Sequence, residues 1–371
     1  MSSEVTDLFC ELAALPSPPG EERAVADVVL RYLRDCGLRV DEDDTGPQVG
    51  STMGNLYARL EPTAAGEPLL LCAHLDTVPP TAAIEPVVED GVVRNAAGTI
   101  LGADDKAAVA AMLEGVRRLL AEGREHAGVE LLFTPKEEVG LVGAYAFDHT
   151  RLHARTGYVY DQAAPIGTVI LGAPFSRALE VTFHGRAAHS GMHPDDGRSA
   201  IAAAARAISE LRLGRVDELS TANVGTITGG TAGNIVPEWC TFVAEARSHD
   251  ERRLADLIQE MQDAITFAAG LWECDVETNA RKSYRGYRFA KSDRAVALAA
   301  EALARCGHEV TYELSGGAAD ANVFNERGLQ VVNLANGMTD IHTPNERISV
   351  DDLAAMVEVT LALVDAARGV G

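Results

Sequence analysis

The chain has 371 residues, 47% of them hydrophobic, enough material for two domains and a sizeable core. Its 32 basic residues face 55 acidic ones, and the formal net charge of −23 argues against nucleic acid or an anionic membrane surface as partner. No apolar stretch approaches the length of a membrane span, and the opening MSSEVTDLFCELAALPSPPGEE lacks the basic-then-apolar order of a secretory signal.

A helical pattern opens the chain at roughly residues 3–15. SPPGEERAVADVVLRYLRDCG then supplies a Pro-Gly break, acids at a helix start and a glycine stop. EPLLLCAHLDT reads as a strand that ends at His74 and Asp76. DDKAAVAAMLEGVRRLLAEG has Ala, Val, Met and Leu at helical spacing. VELLFTPKEE reads as a strand ending at Glu137 and Glu138, and GYVYDQ as one ending at Asp161. From about 174 to 285 the order is strand, helix, two strands, helix, strand, the split-βαβ plan of ferredoxin-like modules. That segment reads as an insertion into a first domain formed by 1–173 and 286–371. Finally LQVVNLANGMTDIHTP carries a strand and reaches His342 through a loop. Strands alternating with helices indicate an α/β layered fold, in which ligands gather at the carboxyl ends of the strands. Each of these polar residues follows its apolar run, which places them at those ends. The six cysteines, Cys10, Cys36, Cys72, Cys240, Cys274 and Cys306, show no C-x-x-C spacing. The expectation is reduced thiols in the cytoplasm, with neither a zinc ribbon nor a disulfide framework.

Adjacent carboxylates repel, so Glu137-Glu138 at the mouth of an apolar strand asks for a reason. Divalent cations give one: they neutralise one carboxylate as a ligand while the neighbour handles a proton as general base. His and carboxylate without Cys suit zinc, manganese or cobalt. Plainer readings exist for each residue alone: a solvated turn for the glutamates, a core histidine at 74, a helix cap at Asp104-Asp105, turn residues at Asp161 and His342. H-E-x-x-H, G-x-S-x-G and the P-loop pattern are all absent, and GGTAGN at 229–234 lacks the Lys-Ser/Thr of a phosphate cradle.

HLDT at 74–77, GADDK at 102–106, KEEVG at 136–140, AHSG at 188–191, GGTAGNIVP at 229–237 and IHTP at 341–344 stand in the order found in the M20 metallopeptidases. The chain resembles that family over nearly its whole length. ANVFNERGLQVVNLANG, leading to the histidine, looks most like the tripeptidase T-like branch. The resemblance implies an α/β zinc-exopeptidase-type catalytic domain, a mixed sheet between helices, with an inserted ferredoxin-like lid and dimerisation domain. It implies two divalent metals, zinc first and cobalt or manganese as alternatives. His74 and Asp161 would hold one, Glu138 and His342 the other, with Asp104 bridging and the Asp104–Asp105 peptide cis. Glu137 would be the catalytic glutamate and Asp76 the carboxylate that orients His74. His189 would stabilise the oxyanion, often across a dimer, while Asn234 and Arg247 would hold the substrate's backbone or terminal carboxylate. The implied activity is release of the N-terminal residue of tripeptides by a cytoplasmic homodimer. The alternatives are an amidohydrolase or deacetylase of N-acyl amino acids, a carboxypeptidase, or a non-catalytic binding or assembly protein of the same fold. Asp at 161, not Glu, is more typical of the family's di- and tripeptidases. Ala107 and Ala108 after Lys106, and Gln162 after Asp161, depart from the pattern.

Overall fold

The computed structural model describes residues 4–369. The chain forms two compact units: one from the segments up to Ala173 and from Arg288 onward, the other from Pro174–Tyr287.

In the first unit the strands Leu69–His74 and Val129–Thr134 are buried at every position. Near-continuous apolar runs of this kind belong to strands covered on both faces. The two pair in parallel, from Leu69 opposite Val129 to His74 opposite Thr134. Thr156–Val159 lies parallel on the other side of Leu69–His74, and Gln330–Leu334 parallel beyond it. Four neighbouring strands therefore point the same way and end at one edge. Antiparallel flanks extend this mixed sheet, Leu56–Leu60 and Val40–Glu42 on one side and Thr168–Ala173 on the other, where Thr311–Leu314 pairs with Thr168–Ala173 in parallel.

The helices Ala103–Ala121 and Arg294–Arg305 pack on this sheet, and Glu4–Ala13 and Val350–Ala367 pack against them, the latter touching both. Ala103–Ala121 is buried without interruption from Ala103 to Val116, with Asp104, Asp105, Lys106 and Glu114 among the buried residues. Gly115 lets it meet Val350–Ala367 closely, since a Cβ there would stand 2.7 Å from Thr360 Cγ2. Lys106 is fully buried in this helix and donates from Nζ to the Leu15 carbonyl at 2.6 Å. A separate three-stranded sheet of Pro86–Glu89, Val92–Asn95 and Arg347–Ser349 was not legible in the sequence; its strands are three or four residues long.

The second unit is a five-stranded antiparallel sheet in the order Gly214–Asp217, Ser220–Gly229, Trp239–Ser248, Phe175–His184, Asp275–Tyr284. Along Trp239–Ser248 the buried residues are Cys240, Phe242, Ala244, Ala246 and Ser248, the strict alternation of a sheet with one covered face. The helices Ala200–Glu210 and Glu251–Leu271 supply that cover. The β-α-β-β-α-β run is present, with Gly214–Asp217 added as a short edge strand. Asp250 starts the longer helix by accepting from the backbone N–H groups of Arg252 and Arg253. Phe183 and Phe242 stack at 6.3 Å in this core. Phe242→Ala is expected to destabilise the second unit by about 3–5 kcal/mol, read as a lowered midpoint in urea unfolding of the whole chain.

Candidate active site

The shared edge of the four parallel strands gathers side chains from distant parts of the chain. His74 is the last residue of its strand, and Asp76 follows in the loop. Glu137 and Glu138 come directly after Val129–Thr134, and Asp161 after Thr156–Val159. His342 arrives by the loop beyond Gln330–Leu334. Asp104 enters from the start of Ala103–Ala121, where Asp104 and Asp105 have non-helical backbone angles and a cis peptide between them. No side chain caps this helix from within, so Asp105 does not act as its cap.

Asp104 stands at the centre. Its Oδ1 lies 3.1 Å from His74 Nε2, and its Oδ2 lies 3.2 Å from His342 Nε2. His342 Nε2 is also 3.1 Å from Glu138 Oε1. Ligand-type atoms of His74, Asp104 and Glu138 fall within 4.8 Å of one another, and so do those of Asp104, Asp105 and Asp161. One carboxylate thus faces two imidazoles with different oxygens, the geometry of a bridge between two centres.

Asp76 serves two partners. His74 Nδ1 sits 2.8 Å from the Asp76 backbone carbonyl and 3.5 Å from its carboxylate, on the side the sequence expectation gave it. The carboxylate also accepts from the backbone N–H groups of Glu137 at 2.9 Å and Glu138 at 3.1 Å. It orders the turn that carries both glutamates, a turn entered through Lys136 at φ +58. With Nδ1 donating to a carbonyl, the neutral ring would offer its Nε2 lone pair to a ligand.

The electrostatics show how crowded with negative charge the site is. Burial pushes the Glu137 carboxyl well above the ordinary range, His74 opposes this, and Asp320, Glu138 and Asp76 add to it. Burial does the same to Asp161, reinforced by Asp104 and Glu137. His342 rises to about 10 because it donates to Asp104 and Glu138. Burial disfavours charge on His74, yet its bonds to Asp104 and Asp76 hold it well above the usual imidazole range. Two imidazoles cannot neutralise Asp104, Asp161, Glu137 and Glu138 together. An oxygen-rich set with two imidazole nitrogens fits divalent cations of the zinc, manganese or cobalt kind.

The residues assigned to substrate lie in the second unit. His189 and Asn234 are neighbours there: Ser190 N–H donates to the Asn234 carbonyl at 3.1 Å, and residues 189 and 235 form an isolated bridge. His189 Nδ1 accepts from the N–H groups of Gly191 and Met192 at 3.2 Å. Arg247 lies near the far end of Trp239–Ser248, opposite Thr221 and Ser176, and reaches Glu245 at 3.1 Å. About 26 Å of extended strand separates Trp239 from Arg247, so the unit does not bring Arg247 to the His189–Asn234 pair.

Several residues around the site have no counterpart in the sequence reading. Asn333 accepts from Asp161 N–H at 2.9 Å and donates to the Asp161 carbonyl at 2.7 Å. Asn336 donates to the Tyr160 carbonyl at 2.6 Å. Glu346 is buried against the backbone just before Asp104. Asp320 accepts from Thr134 Oγ1 at 2.5 Å behind His74, and burial lifts its carboxyl to about 6. All of these grip backbone or neighbouring side chains across long sequence separations, for which no local spacing exists.

Residues 70–366 match the profile of peptidase family M20/M25/M40. The Bacillus subtilis protein YqjE is 38% identical over 359 residues, 97% of either chain. The crystal structure of aminopeptidase PepT from Bacillus cereus superposes with a TM-score of 0.88 at 36% identity, covering 98% of this chain and 97% of that one. That of a tripeptidase from Staphylococcus aureus gives 0.94 at 33% identity over 100% of both chains.

Asp76→Ala strips two N–H groups of their acceptor, at about 1–3 kcal/mol for each donor left unpaired. The expected result is a lowered urea midpoint, with Asp76→Asn, which keeps one acceptor, falling between the variant and the wild type.

Proposed function

The chain belongs to peptidase family M20/M25/M40, and from that premise we propose that it is a two-metal aminopeptidase that releases the N-terminal residue of short peptides, tripeptides foremost. The observation that carries the reading is Asp104, with one oxygen toward His74 and the other toward His342 and Glu138. The likeness to PepT from Bacillus cereus and to the tripeptidase from Staphylococcus aureus supports the substrate class.

In this reading His74 and Asp161 hold one cation, Glu138 and His342 the other, and Asp104 binds both, with zinc as the metal and cobalt or manganese as alternatives. When bound, the two cations supply Lewis-acid polarisation of the scissile carbonyl and acidify the attacking water. Glu137 takes one proton from that water as its oxygen bonds to the carbonyl carbon. As the C–N bond breaks, Glu137 passes the proton to the leaving nitrogen, and the amine departs neutral. Asp76 keeps Glu137 and Glu138 in place through their backbone N–H groups.

The first unit is the catalytic domain in this reading and the second the lid and dimerisation domain. His189 donates to the developing oxyanion, and Asn234 and Arg247 hold the peptide. A tripeptide spans about 10 Å when extended. Since the strand holds Arg247 far from the His189–Asn234 pair, the reading draws these contacts from two copies of the chain, a homodimer. All six cysteines are free thiols, which supports a reducing, cytoplasmic setting.

Glu137→Gln is expected to lower kcat for a tripeptide by about 10²–10⁴-fold with the metal content unchanged. Substantial turnover by a clean preparation of that variant would remove the role given to Glu137. Treatment with a chelator is expected to abolish hydrolysis and added zinc to restore it. A panel of tripeptides, dipeptides, terminally blocked peptides and N-acetyl amino acids separates the readings: cleavage confined to free-N-terminus tripeptides supports this one, and preference for N-acetyl amino acids overturns it.

A further inference from the structure

Glu346 lies 2% exposed, four residues beyond His342. Its Oε2 accepts from the backbone N–H groups of Leu101 at 2.7 Å and Gly102 at 2.8 Å, and its Oε1 from Asp104 N–H at 3.0 Å. These donors belong to the backbone that leads into Ala103–Ala121, ahead of its regular turns, since Asp104 and Asp105 have non-helical angles and a cis peptide between them. A carboxylate from a distant part of the chain therefore satisfies three buried N–H groups of the segment that presents Asp104.

The segment that delivers Glu346 is closed on itself. Thr339 and Arg347 exchange backbone hydrogen bonds at 3.0 and 3.2 Å, Thr343 Oγ1 donates to the Asp340 carbonyl at 2.7 Å, and Glu346 N–H donates to the Thr343 carbonyl at 3.1 Å. The Arg347 guanidinium also pairs with the Asp340 carboxylate. Within this loop Asp340 and His342 stand at φ +54 and φ +62, left-handed conformations that are uncommon outside glycine and that Asp and His adopt more readily than most residues. The loop holds His342, and Glu346 fastens the loop to the backbone that holds Asp104.

We infer that Glu346 is a positioning residue that sets the separation of Asp104 from His342, and through it the affinity of the site for its second cation. This rests on the two-metal reading above. Both Glu346 oxygens are taken up by backbone N–H groups, so it acts by tying together the two segments that present ligands, as groups behind the ligands of metal sites do. Asn333 has the corresponding relation to Asp161, but it grips a single segment.

The test compares Glu346→Gln with the wild type and with Glu130→Gln in the full chain. Glu130 is a matched control: fully buried, it accepts from Tyr57 Oη at 2.7 Å and from the N–H groups of His153 and Ala154 at 3.0 and 2.8 Å, near the beginning of its strand. Metal-stripped protein is titrated with Co(II) and followed by calorimetry and by the visible absorption of the bound ion. Glu346→Gln is expected to weaken one of the two equivalents by 10-fold or more, with a changed Co(II) spectrum. At saturating metal, kcat falls while KM for a tripeptide stays within about two-fold of wild type. Glu130→Gln is expected to lower the urea midpoint and leave both equivalents unchanged. The inference is overturned if Glu346→Gln loses stability as Glu130→Gln does but binds both equivalents like the wild type. Should Glu346→Gln fail to fold, Glu346→Asp keeps the charge but cannot span all three donors, and the same weakening is expected of it. A wild type that binds two ions but cleaves no peptide sinks the peptidase reading alone, because the comparison of metal affinities still stands. A wild type that binds no divalent ion sinks both.

Discussion

The arrangement turns on one carboxylate that must serve two partners. Asp104 directs Oδ1 to His74 and Oδ2 to His342, residues that lie at opposite ends of the sequence. To make that possible the chain concentrates acidic groups where burial penalises their charge. Such a cluster is unfavourable for folding by itself. It is sustainable when cations neutralise it, and when each acid is held by a neighbour that cannot move.

The holding is done largely by backbone. Asp76 accepts from the N–H groups of Glu137 and Glu138, Asn333 grips both the N–H and the carbonyl of Asp161, and Glu346 takes three donors around Asp104. A side chain that grips main chain fixes the position of a ligand without competing for its donor atoms. Four parallel strands with a common open edge supply the frame, because their fully buried bodies cannot shift without disturbing the core. The second unit is built on the opposite principle. Its antiparallel sheet is covered on one face only, and the residues assigned to substrate lie on a loop pair and at a distant strand end.

Much of the site was legible before any coordinates. His74, Asp104, Glu137, Glu138, Asp161 and His342 each follow or precede a recognisable apolar run, and a polar residue in that place is conspicuous. Their order also matched a known family, and the match of residues 70–366 to peptidase family M20/M25/M40 agrees with it. Asp76 was noticed for only part of its role: its carboxylate does stand 3.5 Å from His74 Nδ1, but its hold on the glutamate turn and the bond from Nδ1 to its carbonyl went unnoticed. Asn333, Asn336 and Glu346 went unnoticed because an asparagine beside a strand end or a glutamate in a surface-like NER triplet carries no local signal. The short strands Gly214–Asp217, Pro86–Glu89 and Val92–Asn95 escaped for a related reason: four residues are too few to display a period.

The sequence by itself determined the layered α/β plan, the inserted module and the chemical types of the acids and imidazoles, since these depend on local periodicity and on which residues close each run. Only the tertiary structure decided which oxygen faces which ring, and which distant side chain anchors the backbone of each candidate ligand. Those choices are made by hydrogen bonds between segments as far apart as Asp104 and Glu346. Contacts of that kind exist only once the sheet has brought its strand ends to one edge.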